Sequence, residues 1–247
     1  GRAVAHCSET APLGHPSSRK PLVGWVEHSE THRTHCKTLP TPVNWSFITH
    51  LGDAALVLPL LAAAMTGLAL QGRSQRRVAL QWAAIVATSL LLVAASKIAF
   101  YGWGTGVRRW NLTCFSGHTV SAWLAWPALL MLLAPIRMRA LRIVLLVAGA
   151  VTALLVGWSR VPLGAHPVSE VVAGALLGVC AAALSIRVLW RQALDMRTRS
   201  LLGAVVLTLA IVSQADPARP NTERWFQAIA TQLSAQPPHD RVSWRAQ

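Results

Sequence analysis

Six apolar stretches, near residues 52–70, 78–100, 118–134, 142–158, 168–189 and 200–215, constrain this chain more than any other feature. Each approaches the roughly 17–25 residues that a helix needs to cross the hydrocarbon core of a bilayer. Backbone amides inside lipid have no water to bond, so these stretches are expected to be helices. A soluble six-helix bundle would need polar outer faces. The runs LVLPLLAAAM at 56–65 and LLLVAA at 90–95 have none. The expected fold is therefore all-α: a polytopic membrane protein whose six transmembrane helices form a bundle.

Composition agrees. Of 247 residues, 53% are hydrophobic and 13% charged, about half the charged fraction of an ordinary soluble domain. That excludes a water-soluble globule, and the hydrophobicity excludes a disordered chain. The formal net charge of +14 would suggest nucleic acid if the basic residues formed one patch. Many are instead grouped in short clusters between apolar runs, so no nucleic-acid partner is expected. Arg73, Arg76 and Arg77 follow the first run, Arg137, Arg139 and Arg142 separate the third from the fourth, and Arg187, Arg191, Arg197 and Arg199 separate the fifth from the sixth. All three clusters fall on one side, which the positive-inside rule makes cytoplasmic. The loops 101–117 and 159–167 and both tails then lie outside. Trp45, Trp103, Trp110 and Trp158 fall near the outer interface, where indole rings favour the headgroup level.

The ends differ from the middle. Residues 1–43 are polar and hold five of the nine histidines. No basic segment followed by an apolar one marks a signal peptide. This segment is expected to be disordered or to follow from a misplaced start, since residues 24–32 resemble translated intergenic repeat DNA. A metal site from Cys7, His28, His32, His35 and Cys36 is the rival reading, although the ligand spacing is irregular. Cys7, Cys36, Cys114 and Cys180 fit neither a disulfide framework nor a structural zinc site. Residues 44–216 are expected to form the membrane domain and 217–247 a polar tail. Within the tail, 223–233 reads as a short amphipathic helix on the membrane surface or as a frayed end.

Chemistry concentrates at the outer ends of the helices. Lys97 closes the second, Ser116, Gly117 and His118 open the third, Ser159 and Arg160 close the fourth, and His166 and Glu170 open the fifth. Ionisable groups at membrane depth are costly and mark functional sites by default. Glu170 is the sole acid between Asp53 and Asp195, and it follows His166 by four positions, on the same helical face. A carboxylate there can accept the imidazole N–H, fix the tautomer and raise the basicity of the other nitrogen. It can equally be an N-terminal acid that complements the helix dipole. Gly117 permits close backbone approach, and the N–H groups at a helix start bind anions. Ser116 can donate a hydroxyl or serve as an N-cap, and His118 can protonate a leaving oxygen or rest at the interface. Arg160 offers a planar fork and Lys97 a point charge to phosphate oxygens, or both are snorkelling anchors.

Taken together these residues resemble a known family, the type 2 phosphatidic acid phosphatases. SRVPLGAHPVSE at 159–170, continuing to Ala173 and Gly174, is similar to that family's third motif: Ser-Arg, five residues, His, three residues, Asp. Phe115-Ser116-Gly117-His118 is similar to the second, and Lys97 to the lysine that opens the first. The resemblance covers about residues 50–190. It implies that His166 attacks phosphorus, that Glu170 orients it, and that His118 protonates the leaving group and then activates water. Lys97, Ser116, the Gly117 amide and Arg160 would hold the phosphate oxygens. It also implies no metal or other cofactor, a six-helix bundle with the site at its outer face, and a lipid phosphate substrate.

Three positions depart from the family pattern. Glu170 replaces Asp, Phe115 replaces Pro, and Gly104 stands where the first motif has Arg. Arg108 or Arg109 is the candidate replacement, or the site works with one cation fewer. Arg108, Arg109 and Trp110 also read as a headgroup clamp or an interface anchor.

The resulting expectation is a metal-independent phosphatase of a lipid phosphate or diphosphate in a bacterial inner membrane, with its site facing the periplasm or exterior. The alternatives are a phosphotransferase of the same family and a catalytically degenerate binding or transport bundle.

Overall fold

The computed structural model describes residues 44–215 and 222–246. The expectations for residues 1–43, including the candidate metal ligands there, lie outside the described residues.

Among the described residues the chain is helical and contains no strand. Its elements are α1 (Trp45–His50), α2 (Ala54–Leu70), α3 (Arg73–Trp103), α4 (Gly117–Leu133), α5 (Arg139–Ser159), α6 (Val168–Leu189), α7 (Met196–Ala215), α8 (Thr222–Ser234) and α9 (Arg241–Ala246). A single 3-10 turn at Arg108–Trp110 and an isolated bridge between Val107 and Leu112 shape the loop between α3 and α4. The six stretches read from the sequence correspond to α2 to α7. Of these, α3, α5 and α6 are long and apolar enough to cross a membrane, and α2 and α4 are apolar helices of 17 residues.

Helix α4 is the centre. It is apolar on every face and buried along most of its length, from Thr119 to Leu132. A helix apolar all round has to be enclosed by others, and α5, α6, α2 and α3 surround it. Small residues let two of these neighbours come close. A Cβ at Gly149 of α5 would lie 2.5 Å from the Trp126 carbonyl oxygen, and one at Gly178 of α6 would lie 2.6 Å from Trp123 Cβ. Such small-residue contacts replace the hydrophobic drive that lipid cannot supply.

The outward faces of the long helices remain apolar. Only 28% of the most apolar window of α3, 28% of that of α5 and 33% of that of α6 is buried within the protein. Leu80, Leu91, Val144, Leu176 and Leu184 are exposed large side chains on these helices. So much uncovered apolar surface calls for a non-aqueous surrounding.

At the end of the bundle that carries the arginine clusters, Arg142 departs from its expected place. The sequence groups it with loop cations, yet it is 1% exposed. Its guanidinium donates to the carbonyls of Ala134, Leu189, Trp190 and Gln192 and lies 5.6 Å from the Trp190 ring. These carbonyls are at helix ends and would otherwise lack donors. Arg142 thus ties the end of α4 to the end of α6.

At the opposite end the C-terminal segment folds back. Helix α8 packs along α3, and Ala230 and Trp244 join Phe100 and Tyr101 in a small apolar cluster. Trp244 donates its indole N–H to the Gly104 carbonyl at 2.7 Å, and the His239 amide donates to the Tyr101 carbonyl at 2.9 Å. Helix α8 carries a second apolar stripe, Trp225, Ile229 and Leu233, which is exposed.

Candidate active site

The loop between α5 and α6 presents the central histidine. Gly164 adopts φ of +65°, a left-handed conformation that side chains oppose. This turn brings the amides of Ala165 and His166 back onto the Arg160 carbonyl, at 3.1 and 3.3 Å. Arg160 and His166 are thereby held side by side. Pro167 then starts α6, and Glu170 lies in its first turn.

His166 Nδ1 is 2.5 Å from Glu170 Oε2, and both side chains are buried, at 5% and 0% exposure. With Nδ1 engaged, Nε2 is the nitrogen left for chemistry. The extra methylene of Glu relative to Asp does not break the pair. Instead, Glu170 is gripped from three sides. Its Oε1 accepts from the Thr113 amide at 3.2 Å and from the Thr113 hydroxyl, while Oε2 also meets Arg241 Nη2 at 3.1 Å. Both oxygens of this buried carboxylate therefore have donors. Burial pulls the His166 imidazole below the usual histidine range. The hydrogen bond and charge of Glu170 oppose that fall, and the charges of Arg241 and Lys97 add to it.

Helix α4 begins beside this pair. The Ser116 amide donates to the Glu170 carbonyl at 3.3 Å, and a Cβ at Gly174 would lie 3.1 Å from the Ser116 carbonyl oxygen, so α6 passes close under the start of α4. Ser116 occupies the N-cap position but makes no capping bond with its side chain; its hydroxyl accepts from Thr119 at 2.9 Å. Gly117 is the first residue of α4 and His118 the second. His118 lies in the field of Arg160, Asp53, His166 and Lys97.

Two cations reach the same region. Arg160 lines the cavity, its Nη1 donates to Thr49 at 2.7 Å, and its buried Nε has no hydrogen-bond partner among the described residues. Lys97 on α3 is 5% exposed and is ion-paired with Glu223 on α8. Tyr101 donates to the other Glu223 oxygen at 2.7 Å. Burial would lift the Glu223 carboxyl, but the Lys97 charge and the hydrogen bonds from Lys97 and Tyr101 hold it below the usual range. The cavity at this end is about 490 Å3 and is lined by Tyr101, Arg160, His166, Glu223, Asp240 and Arg241, among others.

The structure thus brings Lys97, Ser116, Gly117, His118, Arg160, His166 and Glu170 to one end of the bundle. Of the expected residues, Arg160 and His166 line the cavity, whereas Lys97, Ser116, Gly117, His118, Glu170 and Arg108 are not among its lining residues, and the Arg108 guanidinium lies 5.5 Å from the Trp244 ring. The arginine that reaches the His166–Glu170 pair is Arg241. Sequence reasoning missed Thr113, Tyr101, Glu223 and Arg241. The last two sit in a segment that reads as a polar tail, 57 and 75 positions beyond His166, so no local spacing ties them to it. The one available signal was the aromatic and charged content of a tail with no evident need for either.

Comparison with known proteins is consistent with this arrangement. The PAP2 superfamily pattern matches residues 102–194, which include both histidines and Glu170. An uncharacterized 22.5 kDa protein in the cps region of Klebsiella pneumoniae is 40% identical over 142 residues, covering 58% of this chain and 68% of the relative. No solved structure matches the chain. The motif residues, their order along the helices and these matches place the chain in one family: it belongs to the PAP2 superfamily.

Proposed function

We propose that this protein is a metal-independent membrane phosphatase that hydrolyses a lipid phosphate or lipid diphosphate through a phosphohistidine on His166. The observation that carries the reading is the His166–Glu170 pair at 2.5 Å, with Arg160 and Arg241 lining the same cavity as His166. PAP2 superfamily membership supports a phosphoester hydrolase.

In the proposed reaction, His166 Nε2 attacks phosphorus and the P–O bond to the leaving group breaks. His118 gives that oxygen a proton. Water, deprotonated by His118, then attacks the phosphohistidine and releases phosphate. Phosphoryl transfer asks chiefly for positioning and charge stabilisation. Lys97, Arg160, the Ser116 hydroxyl and the Gly117 amide are the groups assigned to the phosphate oxygens, and the unpartnered Arg160 Nε supports that assignment.

The apolar helices support an integral membrane location, and six spans are the proposed count. The site is assigned to the periplasmic or exterior end, because Arg73, Arg76, Arg77, Arg137, Arg139, Arg187 and Arg191 gather at the other. A lipid with its tails in the bilayer would present its headgroup there. Phosphatidate, phosphatidylglycerol phosphate and undecaprenyl diphosphate are the substrate class to assay. The test is phosphate release by purified protein in detergent with EDTA present. Release is expected from at least one of the three. Release that depends on added metal, or that persists in His166→Ala, contradicts the proposal.

A further inference from the structure

We infer that Arg241, carried back by the C-terminal segment, is a positioning residue of this site: it braces the Glu170 carboxylate against His166. The inference rests on the phosphatase reading for its kinetic consequences, but not for its geometry.

The contacts of Arg241 are all directed at the pair or its immediate support. Nη2 lies 3.1 Å from Glu170 Oε2, 3.5 Å from His166 Nδ1 and 3.5 Å from Cys114 Sγ. Nη1 donates to the carbonyl of Ala165, the residue before His166, at 2.9 Å. One guanidinium fork therefore holds both the acid that orients the imidazole and the backbone that carries it. The fork approaches from the Nδ1 side, away from the nitrogen assigned to attack. Arg241 is thus placed to orient the pair from the wall of the cavity that it also lines.

The segment that delivers it is built to dock at this spot. Trp244 is 3% exposed, bonds to the Gly104 carbonyl and stacks edge-on against Phe100 at 5.8 Å. Gly104, at φ of +62°, lies beneath His239: a Cβ there would sit 3.3 Å from the imidazole ring. A Cβ at Gly106 would lie 2.7 Å from Trp244. The absence of side chains at 104 and 106 is what lets the segment seat. Thr113 holds the Oε1 side of the carboxylate, and Arg241 adds a donor on the Oε2 side while its second nitrogen holds the Ala165 carbonyl; a planar fork spans both acceptors in a fixed geometry, as a single ammonium does not.

The charge has a separate consequence. Several groups face His166: Glu170 from α6, Lys97 and Tyr101 from α3, His118 from α4, Arg160 and Cys114 from the loops, and Glu223, His239 and Asp240 from the C-terminal segment. Arg241 is the cation nearest Nδ1, so its loss lets His166 take up a proton at higher pH.

The experiment compares the full chain in detergent with Arg241→Gln and Arg241→Lys. It reads phosphate release against pH and titrates His166 by 15N NMR without substrate. For Arg241→Gln, kcat should fall about tenfold or more with KM within about twofold, as for a misplaced catalytic group. The acid limb and the His166 titration should both move up by about one pH unit. Arg241→Lys should leave the acid limb in place and still lower kcat severalfold, because it keeps the charge and loses the fork. This second variant decides the matter if the Gln variant does not fold. Unchanged kcat in both variants, or an unmoved His166 titration in Arg241→Gln, overturns the inference while the phosphatase reading stands. If even the unaltered protein releases no phosphate, that reading falls, and the NMR titration alone supports or overturns the bracing role.

Discussion

Lys97 on α3 and Glu223 on α8 are ion-paired across 126 positions of sequence, and Tyr101, one turn along α3, donates to the second oxygen of the same carboxylate at 2.7 Å. A lysine assigned to phosphate is therefore already occupied by an anion of this chain. Any phosphate that binds Lys97 has to share it with Glu223 or displace that carboxylate.

From this competition, Glu223→Gln should lower KM for the lipid phosphate by about threefold, the scale of a partly exposed ion pair. Its kcat should change little. Lys97→Ala should raise KM and lower kcat together. Steady-state kinetics on a common substrate measures all three. A higher KM in Glu223→Gln would mean that Glu223 helps to hold Lys97 in place.

Glu170 meets His166 Nδ1 at 2.5 Å and is proposed to orient it, so removing the charge while keeping the shape isolates that role. Glu170→Gln should lower kcat by about a hundredfold or more, since the imidazole loses both its tautomer control and its counter-charge. Glu170→Asp should be intermediate, because the Thr113 and Arg241 contacts are set for the longer arm. Single-turnover rates distinguish these outcomes.

Acid should be tolerated further than an ordinary histidine allows. In the proposed reaction the attacking form of His166 is neutral, and burial holds its pKa below the usual value of about 6.5. Activity is therefore lost as pH falls through that lowered value, and the acid midpoint of kcat/KM should lie below about 6.5. A kcat/KM profile with its acid midpoint at or above that value contradicts the assignment.

The close approach of α4 and α6 makes a stability prediction independent of chemistry. Gly178→Val would put a side chain where Trp123 Cβ leaves 2.6 Å. Thermal unfolding in detergent should show a loss of about 2 kcal/mol or more, in the upper part of the range for overpacking. Arg142→Leu should cost a similar amount or more, since four helix-end carbonyls lose their donor.

Much of the fold was legible in advance. The apolar runs that predict helices at 168–189 and 118–134 match α6 (Val168–Leu189) and α4 (Gly117–Leu133) closely, because an apolar run with polar ends has few alternatives. The His166–Glu170 contact was legible too, since a four-residue spacing at a helix start fixes which side chains meet. Arg142 was not: a basic residue beside a helix end reads as a loop cation until the carbonyls around it are known. Arg241 was not either. Its contact with Glu170 depends on a segment folding back over Gly104 and Gly106, and nothing periodic records that return. The loop arginines nearest the gap at position 104 drew attention, whereas the guanidinium that reaches the pair comes from 137 positions further on.

The central claim is that His166 becomes covalently phosphorylated. Rapid acid-free quenching of turnover with a lipid phosphate, followed by peptide mass spectrometry, tests it directly. The account predicts an acid-labile, alkali-stable phosphate on His166 that does not form in His166→Ala. Steady phosphate release with no adduct on His166, or an adduct on another side chain, would contradict it.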